Sequence, residues 1–242
     1  MTTMKSDSLV FAVPRGRILR DATPLLKSLG LLPAPGLLDE SDRRLQFASA
    51  ADGVNFVRVR SFDAATFVAF GGAHFGLAGT DVLSEFRYPE VYAPVDLGLS
   101  RCRMVVAEDA ALAARDSPMS WSQVRVATKY PRLTRRHFAA RGVQAETIEL
   151  SGAVELAPSL GLARRIVDLV DTGRTLAANN LVEVEHVLDV SLCLVVNRTA
   201  FKLRHGELLP WIDRFRAAAA ETATATASAT TPATASKKAP DK

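Results

Sequence analysis

Cysteine, histidine and long apolar runs are scarce in this sequence of 242 residues, and each scarcity argues against a class of protein. The two cysteines, Cys102 and Cys193, stand far apart without CxxC spacing, which argues against a disulfide framework and a thiolate metal site. The four histidines are scattered, so no zinc site is visible. No apolar segment approaches the roughly 20 residues of a membrane-spanning helix, and the N-terminus lacks the apolar core of a signal peptide. We therefore expect a cytoplasmic protein with reduced cysteines and no membrane partner.

Aromatic residues are also few, at 7% of the chain, and they are not interleaved with a basic stripe. The net charge is +4 and the pI is about 9.3, but the basic residues are spread along the chain. Nucleic-acid sites combine clustered cations with stacking aromatics, so we expect no nucleic-acid partner and favour a small polyanionic substrate. With 48% hydrophobic residues, the chain can bury a substantial core.

Short apolar runs alternate with segments of helical periodicity along the chain. The first run, Leu9–Pro14, is a predicted strand, and residues 18–29 place apolar side chains on one helical face. Further strands are predicted at residues 56–60, 75–79, 103–107, 124–128, 145–150, 166–170 and 185–196, with helices at 133–140 and 207–220. This alternation predicts an α/β layered fold. Beyond residue 217 the chain is rich in Ala and Thr, and we expect disorder there because little apolar bulk is available.

Residues 165–176 combine a β-branched apolar strand, two carboxylates and a polar turn that contains Gly173. A strand, a glycine turn and a helix start form phosphate-binding geometry, because unpaired N–H groups of the first helical turn face the anion. Asp168 and Asp171 would repel that phosphate, so we expect them to accept hydrogen bonds from sugar hydroxyls or to face a substrate-bound metal. Asp-Thr-Gly also makes ordinary turns and Asp also caps helices, so spacing alone leaves both interpretations open.

The turn after the first predicted strand reads Arg15-Gly16-Arg17. The fork geometry of arginine suits phosphate oxygens. Positive charge at a helix start opposes the helix dipole, which points to an anion nearby. Arginines that are simply solvated at the helix start are the alternative interpretation.

Six segments, in one order, resemble the ATP phosphoribosyltransferase family and specifically its short form. They are residues 13–17 (Val-Pro-Arg-Gly-Arg), 59–63 (Val-Arg-Ser-Phe-Asp), 75–83 (Phe-Gly-Leu-Ala-Gly-Thr-Asp-Val-Leu), 126–131 (Val-Ala-Thr-Lys-Tyr-Pro), 155–158 (Glu-Leu-Ala-Pro) and 168–176. The resemblance implies two α/β domains similar to type II periplasmic binding proteins, with the active site in the cleft between them. Domain I would comprise residues 1–99 and 181–216, domain II residues 100–180, and residues 217–242 a disordered tail.

The activity implied by the resemblance is a glycosyltransferase reaction, the first step of histidine biosynthesis. The 5-phosphoribosyl group of 5-phosphoribosyl diphosphate (PRPP) passes to N1 of the adenine of ATP, and pyrophosphate leaves. Mg²⁺ would be required and carried by the substrate, with no metal ligand from the protein. Because adenine N1 already carries a lone pair, the reaction needs no obligatory general base, which fits the lack of a convincing His or Cys constellation.

The residues that the resemblance assigns to PRPP lie in the phosphate loop and on the carboxylates before it. The loop would hold the 5′-phosphate, and Glu155 and Asp168 the ribose hydroxyls. The PRPP-binding set is Glu155, Asp168, Asp171, Thr172, Gly173, Arg174 and Thr175. The residues expected to act in catalysis are Arg15, Arg60 and Asp171, and the further phosphate or nucleotide-binding candidates are Arg17, Arg43 and Arg44.

Three positions depart from the family pattern. Arg15 stands where Lys is frequent, Ser61 where Pro is common, and Thr80 where Lys is usual. The first change keeps the charge but alters the donor geometry, whereas the third removes a cation. The nucleotide-binding role of the segment around Thr80 is therefore the least secure part of the resemblance.

The short form resembles a catalytic subunit that works with a separate regulatory protein similar to histidyl-tRNA synthetase. We therefore expect a homodimer within a hetero-oligomer, with histidine feedback on the partner. Two alternatives remain open. One is a non-catalytic bilobal module that binds small anions, and the other is a purine-salvage phosphoribosyltransferase that shares only the PRPP loop.

Overall fold

The structure, a computed structural model, describes residues 8–31 and 36–229. Strands and helices alternate along the chain as the sequence predicts. The strands are β1 (Leu9–Pro14), β2 (Gln46–Ala48), β3 (Val54–Val59), β4 (Phe75–Gly79), β5 (Val91–Asp109), β6 (Gln123–Thr128), β7 (Gln144–Glu149), β8 (Arg165–Val170) and β9 (Leu181–Asn197). The helices are α1 (Arg17–Ser28), α2 (Ser61–Ala69), α3 (Thr80–Phe86), α4 (Ala110–Ala113), α5 (Pro131–Ala139), α6 (Arg174–Ala178), α7 (Arg198–Leu203) and α8 (His205–Ala229).

One mixed sheet connects two lobes, in the strand order β2-β3-β1-β4-β9-β5-β8-β6-β7. The long antiparallel strands β5 and β9 run through both lobes. In the first lobe β4 pairs antiparallel with the C-terminal part of β9, and in the second lobe β8 pairs antiparallel with the C-terminal part of β5. The register of β5 against β9 shifts between Leu99 and Cys102, where the chain passes from one lobe to the other. The α/β bilobal fold is confirmed.

Each lobe has its own hydrophobic core on both faces of the sheet. In the first lobe, Phe11 stacks on Phe75 with ring centroids 4.3 Å apart and meets the edge of Phe215 from α8 at 5.8 Å. In the second lobe, Trp121 and Phe138 pack against β6 and β8. The predicted boundaries between domains, after residues 99 and 180, stay a prediction, and β5 runs through the first of them without a break.

Helices α3 and α5 join the lobes beside the cleft. The buried carboxylate of Glu85 accepts hydrogen bonds from the backbone N–H groups of Arg132 and Leu133, both at 2.8 Å, and so caps the first turn of α5. The hydroxyl of Tyr130 donates to Asp81 at 2.7 Å. Among the described residues, no helix combines the length and apolar character needed to cross a membrane.

Helix α8 corrects one expectation. The sequence predicts disorder from residue 217, but the helix continues to Ala229. Phe215 and Ala219 are buried against the first lobe, which anchors the helix, and the alanines that follow have the highest helix propensity of any residue. Low apolar bulk was therefore the wrong criterion for residues 217–229. The rest of the predicted tail, residues 230–242, lies outside the described part of the chain.

Candidate active site

The turn between β8 and α6 forms one wall of a cavity of about 260 Å³. Gly173 adopts a left-handed conformation with φ of 76°, and α6 starts at the next residue. The loop is exposed, and the first N–H groups of α6 have no partner within the helix, as at any helix start. All predicted PRPP-binding residues line this one cavity: Glu155, Asp168, Asp171, Thr172, Gly173, Arg174 and Thr175.

Asp168 is the partly buried carboxylate of this cavity. One of its oxygens accepts the N–H of Leu169 at 2.8 Å. The pKa of Asp168 is raised to about 6, mainly by burial and to a smaller extent by the negative charges of Glu155 and Asp81. The Leu169 N–H and Lys129 act in the opposite direction. The carboxylate is therefore mostly ionised at neutral pH, although burial makes the ionised form less favourable than it is in water. A hydrogen-bond donor from a bound ligand would reduce this desolvation cost.

Arg17, from the first turn of α1, reaches across the cleft to the phosphate loop. Its guanidinium pairs with the carboxylate of Asp171 at 2.6 Å, and both side chains are about half exposed. Arg103 donates to the backbone carbonyl of Asp171 at 3.2 Å and pairs with Glu183. Arg17 therefore lines the same cavity as the loop 171–175, so a cation from the first lobe lies at the loop of the second.

Three of the other cationic candidates line a separate, larger cavity of about 870 Å³ in the first lobe. Arg15, Arg43 and Arg60 contribute to its wall. Because Arg15 and Gly16 face this cavity and Arg17 faces the smaller one, the turn between β1 and α1 separates the two. The sequence predicts one set of phosphate-binding residues, and the structure divides this set between two adjacent cavities.

The guanidinium of Arg44 is paired with the carboxylate of Asp42 instead of lining the larger cavity. Its Nε lies 3.0 and 3.1 Å from the two carboxylate oxygens, and its Nη2 lies 2.6 Å from one of them. This pairing and the Arg44 N–H lower the pKa of Asp42 to about 2. Of the two neighbouring candidates, Arg43 is thus the one that lines the cavity.

Several residues at the cleft were not among the predicted site residues. A small cavity of about 70 Å³ is lined by Arg17, Asp81, Ser100, Cys102 and Tyr130, among others. Burial raises the pKa of Asp81 and, together with the Asp81 charge, that of Tyr130, so this pair shares a hydrogen bond in a dry environment. Asp81 and Tyr130 lie in two of the segments that carry the family resemblance, residues 75–83 and 126–131. This resemblance was the sequence signal that could have pointed to them as site residues.

Thr80 has a structural partner. Its hydroxyl accepts a hydrogen bond from the backbone N–H of Ser191 at 3.1 Å, which ties the start of α3 to β9. The residue that replaces the usual Lys thus contributes a link between two elements of the first lobe. The cavities of about 870 and 260 Å³ do not include it among their lining residues.

The described residues contain no group of three or more His, Cys, Asp or Glu side chains placed to hold a metal ion. Glu155, Asp168 and Asp171 nevertheless line one cavity, and oxygen donors of this kind suit Mg²⁺ when the substrate supplies most of its ligands. The donor set therefore fits a magnesium ion that enters with a polyphosphate.

Comparisons with known proteins agree with this geometry. The family model described as HisG: ATP phosphoribosyltransferase matches residues 60–217. An ATP phosphoribosyltransferase of Rhodospirillum rubrum is 61% identical over 213 residues, which cover 88% of this chain and 94% of the relative. One of Paramagnetospirillum magneticum is 58% identical over 212 residues, covering 88% and 97%.

Solved structures show the same fold. The ATP phosphoribosyl transferase (HisG:HisZ) complex from Thermotoga maritima matches with a TM-score of 0.73 and 29% identity, covering 88% of this chain and 99% of that chain. The structure of Tv2483 bound to L-arginine matches with a TM-score of 0.53 at 11% identity, covering 91% and 87%, and supports the fold alone. The chain therefore belongs to the ATP phosphoribosyltransferase family, the transferases that open histidine biosynthesis.

Proposed function

We propose that the protein transfers the 5-phosphoribosyl group of PRPP to N1 of ATP in the cleft between the lobes and releases pyrophosphate. The observation that carries the proposal is the placement of two anion-compatible cavities on either side of one turn. The smaller cavity has a phosphate-type loop and carboxylates, and the larger one has five arginines, which include the candidates Arg15, Arg43 and Arg60. A reaction that joins a sugar phosphate to a nucleoside triphosphate needs both kinds of site.

In this proposal the smaller cavity binds PRPP. The 5′-phosphate lies against the loop 171–175, where the left-handed Gly173 turns the backbone toward the ligand and the start of α6 offers N–H groups. The carboxylates of Glu155 and Asp168 accept hydrogen bonds from the ribose hydroxyls. Asp171 orients the loop through its contact with Arg17, and this contact opens when the phosphate offers Arg17 a stronger partner.

The larger cavity binds the polyphosphate groups that meet at the reacting carbon. Arg15 and Arg60 face the departing pyrophosphate, and Arg43 faces the triphosphate of ATP. Arg44 is paired with Asp42, so its charge is largely neutralised there and we assign it no phosphate contact. The leucines and Phe67 of the same wall supply apolar surface for a base.

Catalysis rests on alignment and charge stabilisation. The attacking N1 atom needs no base, so holding it in line with C1 of the ribose provides much of the acceleration. Charge develops on the pyrophosphate as the bond to C1 breaks, and the arginines stabilise it from fixed positions. Bound Mg²⁺ would neutralise part of the same charge and help to orient the pyrophosphate.

The chain is further proposed to act as a homodimer within a hetero-oligomer, together with a regulatory subunit similar to histidyl-tRNA synthetase. The solved HisG:HisZ complex supports the hetero-oligomeric part of this arrangement. Histidine should then inhibit only the assembled complex. Micromolar inhibition of the isolated chain by histidine would contradict this part of the proposal. We place the reaction in the cytoplasm, where ATP and PRPP are available.

Identification of the product tests the proposal. The protein is incubated with ATP, PRPP and Mg²⁺, and the product is examined by mass spectrometry and by NMR correlation between the ribose C1 proton and the adenine ring. We expect a new bond from N1 to C1 and one pyrophosphate per product. Binding of PRPP without product, with or without the regulatory subunit, would instead support an anion-binding module. Preference for a free base over ATP would support a salvage enzyme.

A further inference from the structure

One wall of the larger cavity is an irregular segment, residues 36–45, that contains Arg43. It contributes Leu37, Leu38, Glu40, Asp42, Arg43 and Leu45 to the lining. Among the described residues, the backbone hydrogen bonds within the segment are two short turn contacts, Asp39 N–H to Gly36 at 3.1 Å and Asp42 N–H to Asp39 at 3.3 Å. At its end, the Leu45 carbonyl accepts the backbone N–H of Arg58 at 2.7 Å. A segment with so few internal hydrogen bonds needs an anchor from outside to hold one conformation.

Arg58, on β3, provides that anchor. Its side chain is buried, with 6% of the residue exposed, and its guanidinium lies 5.0 Å from the ring centroid of Phe47. The two terminal nitrogens donate only to backbone carbonyls of the segment. Nη1 donates to Gly36, Leu37 and Asp39 at 3.2, 2.9 and 2.7 Å, and Nη2 donates to Arg44 at 3.0 Å and to Asp42.

The two carbonyls held by Nη2 flank Arg43. The Asp42 carbonyl precedes the Arg43 residue and the Arg44 carbonyl follows it, so the backbone of Arg43 is fixed on both sides by one nitrogen of Arg58. The Asp42 carboxylate meanwhile holds the guanidinium of Arg44. These contacts of Arg58 and Asp42 keep the Arg44 side chain paired and leave Arg43 as the arginine that lines the cavity.

We propose that Arg58 is a positioning residue that acts through Arg43 and sets the geometry of the triphosphate end of the larger cavity. This inference rests on the proposed function, because it takes the ligand of Arg43 to be a nucleoside triphosphate. Arg58 contributes to the lining of the larger cavity, but its two terminal nitrogens are occupied by carbonyls of the segment. In the proposal it therefore acts on the ligand through Arg43. Within the described part of the chain, the hydrogen bonds that the buried Arg58 side chain makes go to the irregular segment and none goes to β3, so they are not needed for the packing of that strand.

Lysine cannot replace Arg58 in this role. An ammonium has three donors on one atom, whereas the guanidinium reaches carbonyls at two ends of the segment from two nitrogens. Arg58→Lys should therefore leave part of the carbonyl set unpaired and let the Arg43 backbone move. Because displacements of about 1 Å can cost 100-fold in rate, we expect kcat/KM for ATP to fall roughly 10- to 100-fold. The KM for PRPP should change less than about threefold, because the PRPP loop lies in the other lobe.

A double-mutant cycle separates positioning from a general structural role. Arg58→Lys is made in the wild type and in Arg43→Ala, and kcat/KM for ATP is measured at saturating PRPP. If Arg58 acts through Arg43, its replacement should cost less than about threefold in the Arg43→Ala background, because the group that it positions is already gone. Equal losses in both backgrounds would overturn the inference. Arg125→Lys, an exposed arginine of the second lobe that pairs with Glu146, is the matched control.

Hydrogen exchange of the backbone amides in residues 37–45 gives a readout that needs no turnover. We expect faster exchange in Arg58→Lys and unchanged exchange in Arg43→Ala and Arg125→Lys, with circular dichroism confirming that all variants fold. Unchanged exchange in Arg58→Lys would overturn the inference. A wild type without turnover would contradict the proposed function instead, and the exchange result would still decide whether Arg58 holds the segment.

Discussion

Replacing Asp168 with Asn should stabilise the folded protein at neutral and alkaline pH while it weakens PRPP binding. Burial raises the pKa of Asp168 from 3.8 to about 6, so the ionised carboxylate destabilises the native state relative to the unfolded chain. A shift of about two units corresponds to about 3 kcal/mol at pH values above both pKa values. Asn removes this penalty and keeps an oxygen for the Leu169 N–H.

The gain should depend on pH in a defined way. Below the pKa of Asp168 in the unfolded chain, the carboxyl group is protonated in the folded and the unfolded state, and burial costs no charge. The cost of ionising the buried carboxylate grows as the pH rises and reaches its full value above about pH 7. The stabilisation by Asp168→Asn should thus be about 3 kcal/mol at pH 8 and about half of that at pH 5, which is measurable by urea denaturation. Thermal midpoints should rise by roughly 6 to 12 °C at pH 8.

The same substitution removes the charged acceptor proposed for a ribose hydroxyl. Hydrogen bonds to charged groups contribute about 1.5–3 kcal/mol, so the Kd for PRPP should rise roughly 10- to 100-fold. Asp189→Asn is the control, because 89% of that side chain is exposed, and it should change neither quantity. A gain that is absent at pH 8, or equal at pH 5 and pH 8, would show that burial does not penalise the ionised Asp168 carboxylate.

Four further predictions concern the loop, the cleft and α8. Gly173 and Gly142 have left-handed φ angles of 76° and 73°, so replacing either with Ala should lower the free energy of unfolding by about 1–2 kcal/mol. Only Gly173→Ala should also raise the KM for PRPP. PRPP should protect the thiol of Cys102, which lines the smaller cavity, from iodoacetamide; equal rates with and without PRPP would contradict its placement. Burial raises the pKa of Cys102, so its alkylation should accelerate as the pH rises above neutrality. Phe215→Ala should lower the free energy of unfolding by about 3–5 kcal/mol in urea titrations, because the ring is fully buried against Phe11.

The features that could be predicted from the sequence are local ones. The strand, glycine turn and helix start around Gly173 lie within a dozen consecutive residues, and the structure has them as expected. The alternation of strands and helices likewise follows from short-range periodicity. The stretch of β5 before Arg103 was missed, because Pro94 and Gly98 interrupt the pattern and pairing with β9 overrides local propensity.

The division of the arginines between two cavities could not be predicted, because it depends on tertiary contacts. Arg17 pairs with a residue 154 positions away, and Arg44 is held by a neighbour whose own backbone is held by Arg58. An alternating Val-Arg-Val-Arg strand suggests exposed arginines, yet Arg58 is buried. Its five carbonyl partners lie in a segment without regular structure, and no periodicity in the sequence marks them.

Pyrophosphate release from ATP and PRPP with Mg²⁺ tests both the proposed reaction and the role of the loop 171–175. The wild type, an Asp171→Ala/Thr172→Ala double variant and Asp189→Ala are compared with and without the regulatory subunit, after circular dichroism has shown that all are folded. Turnover should collapse in the double variant and stay within about twofold of the wild type in Asp189→Ala. Turnover that survives in the folded double variant would contradict the assignment of the loop, and its absence from the wild type under every condition would contradict the proposed reaction.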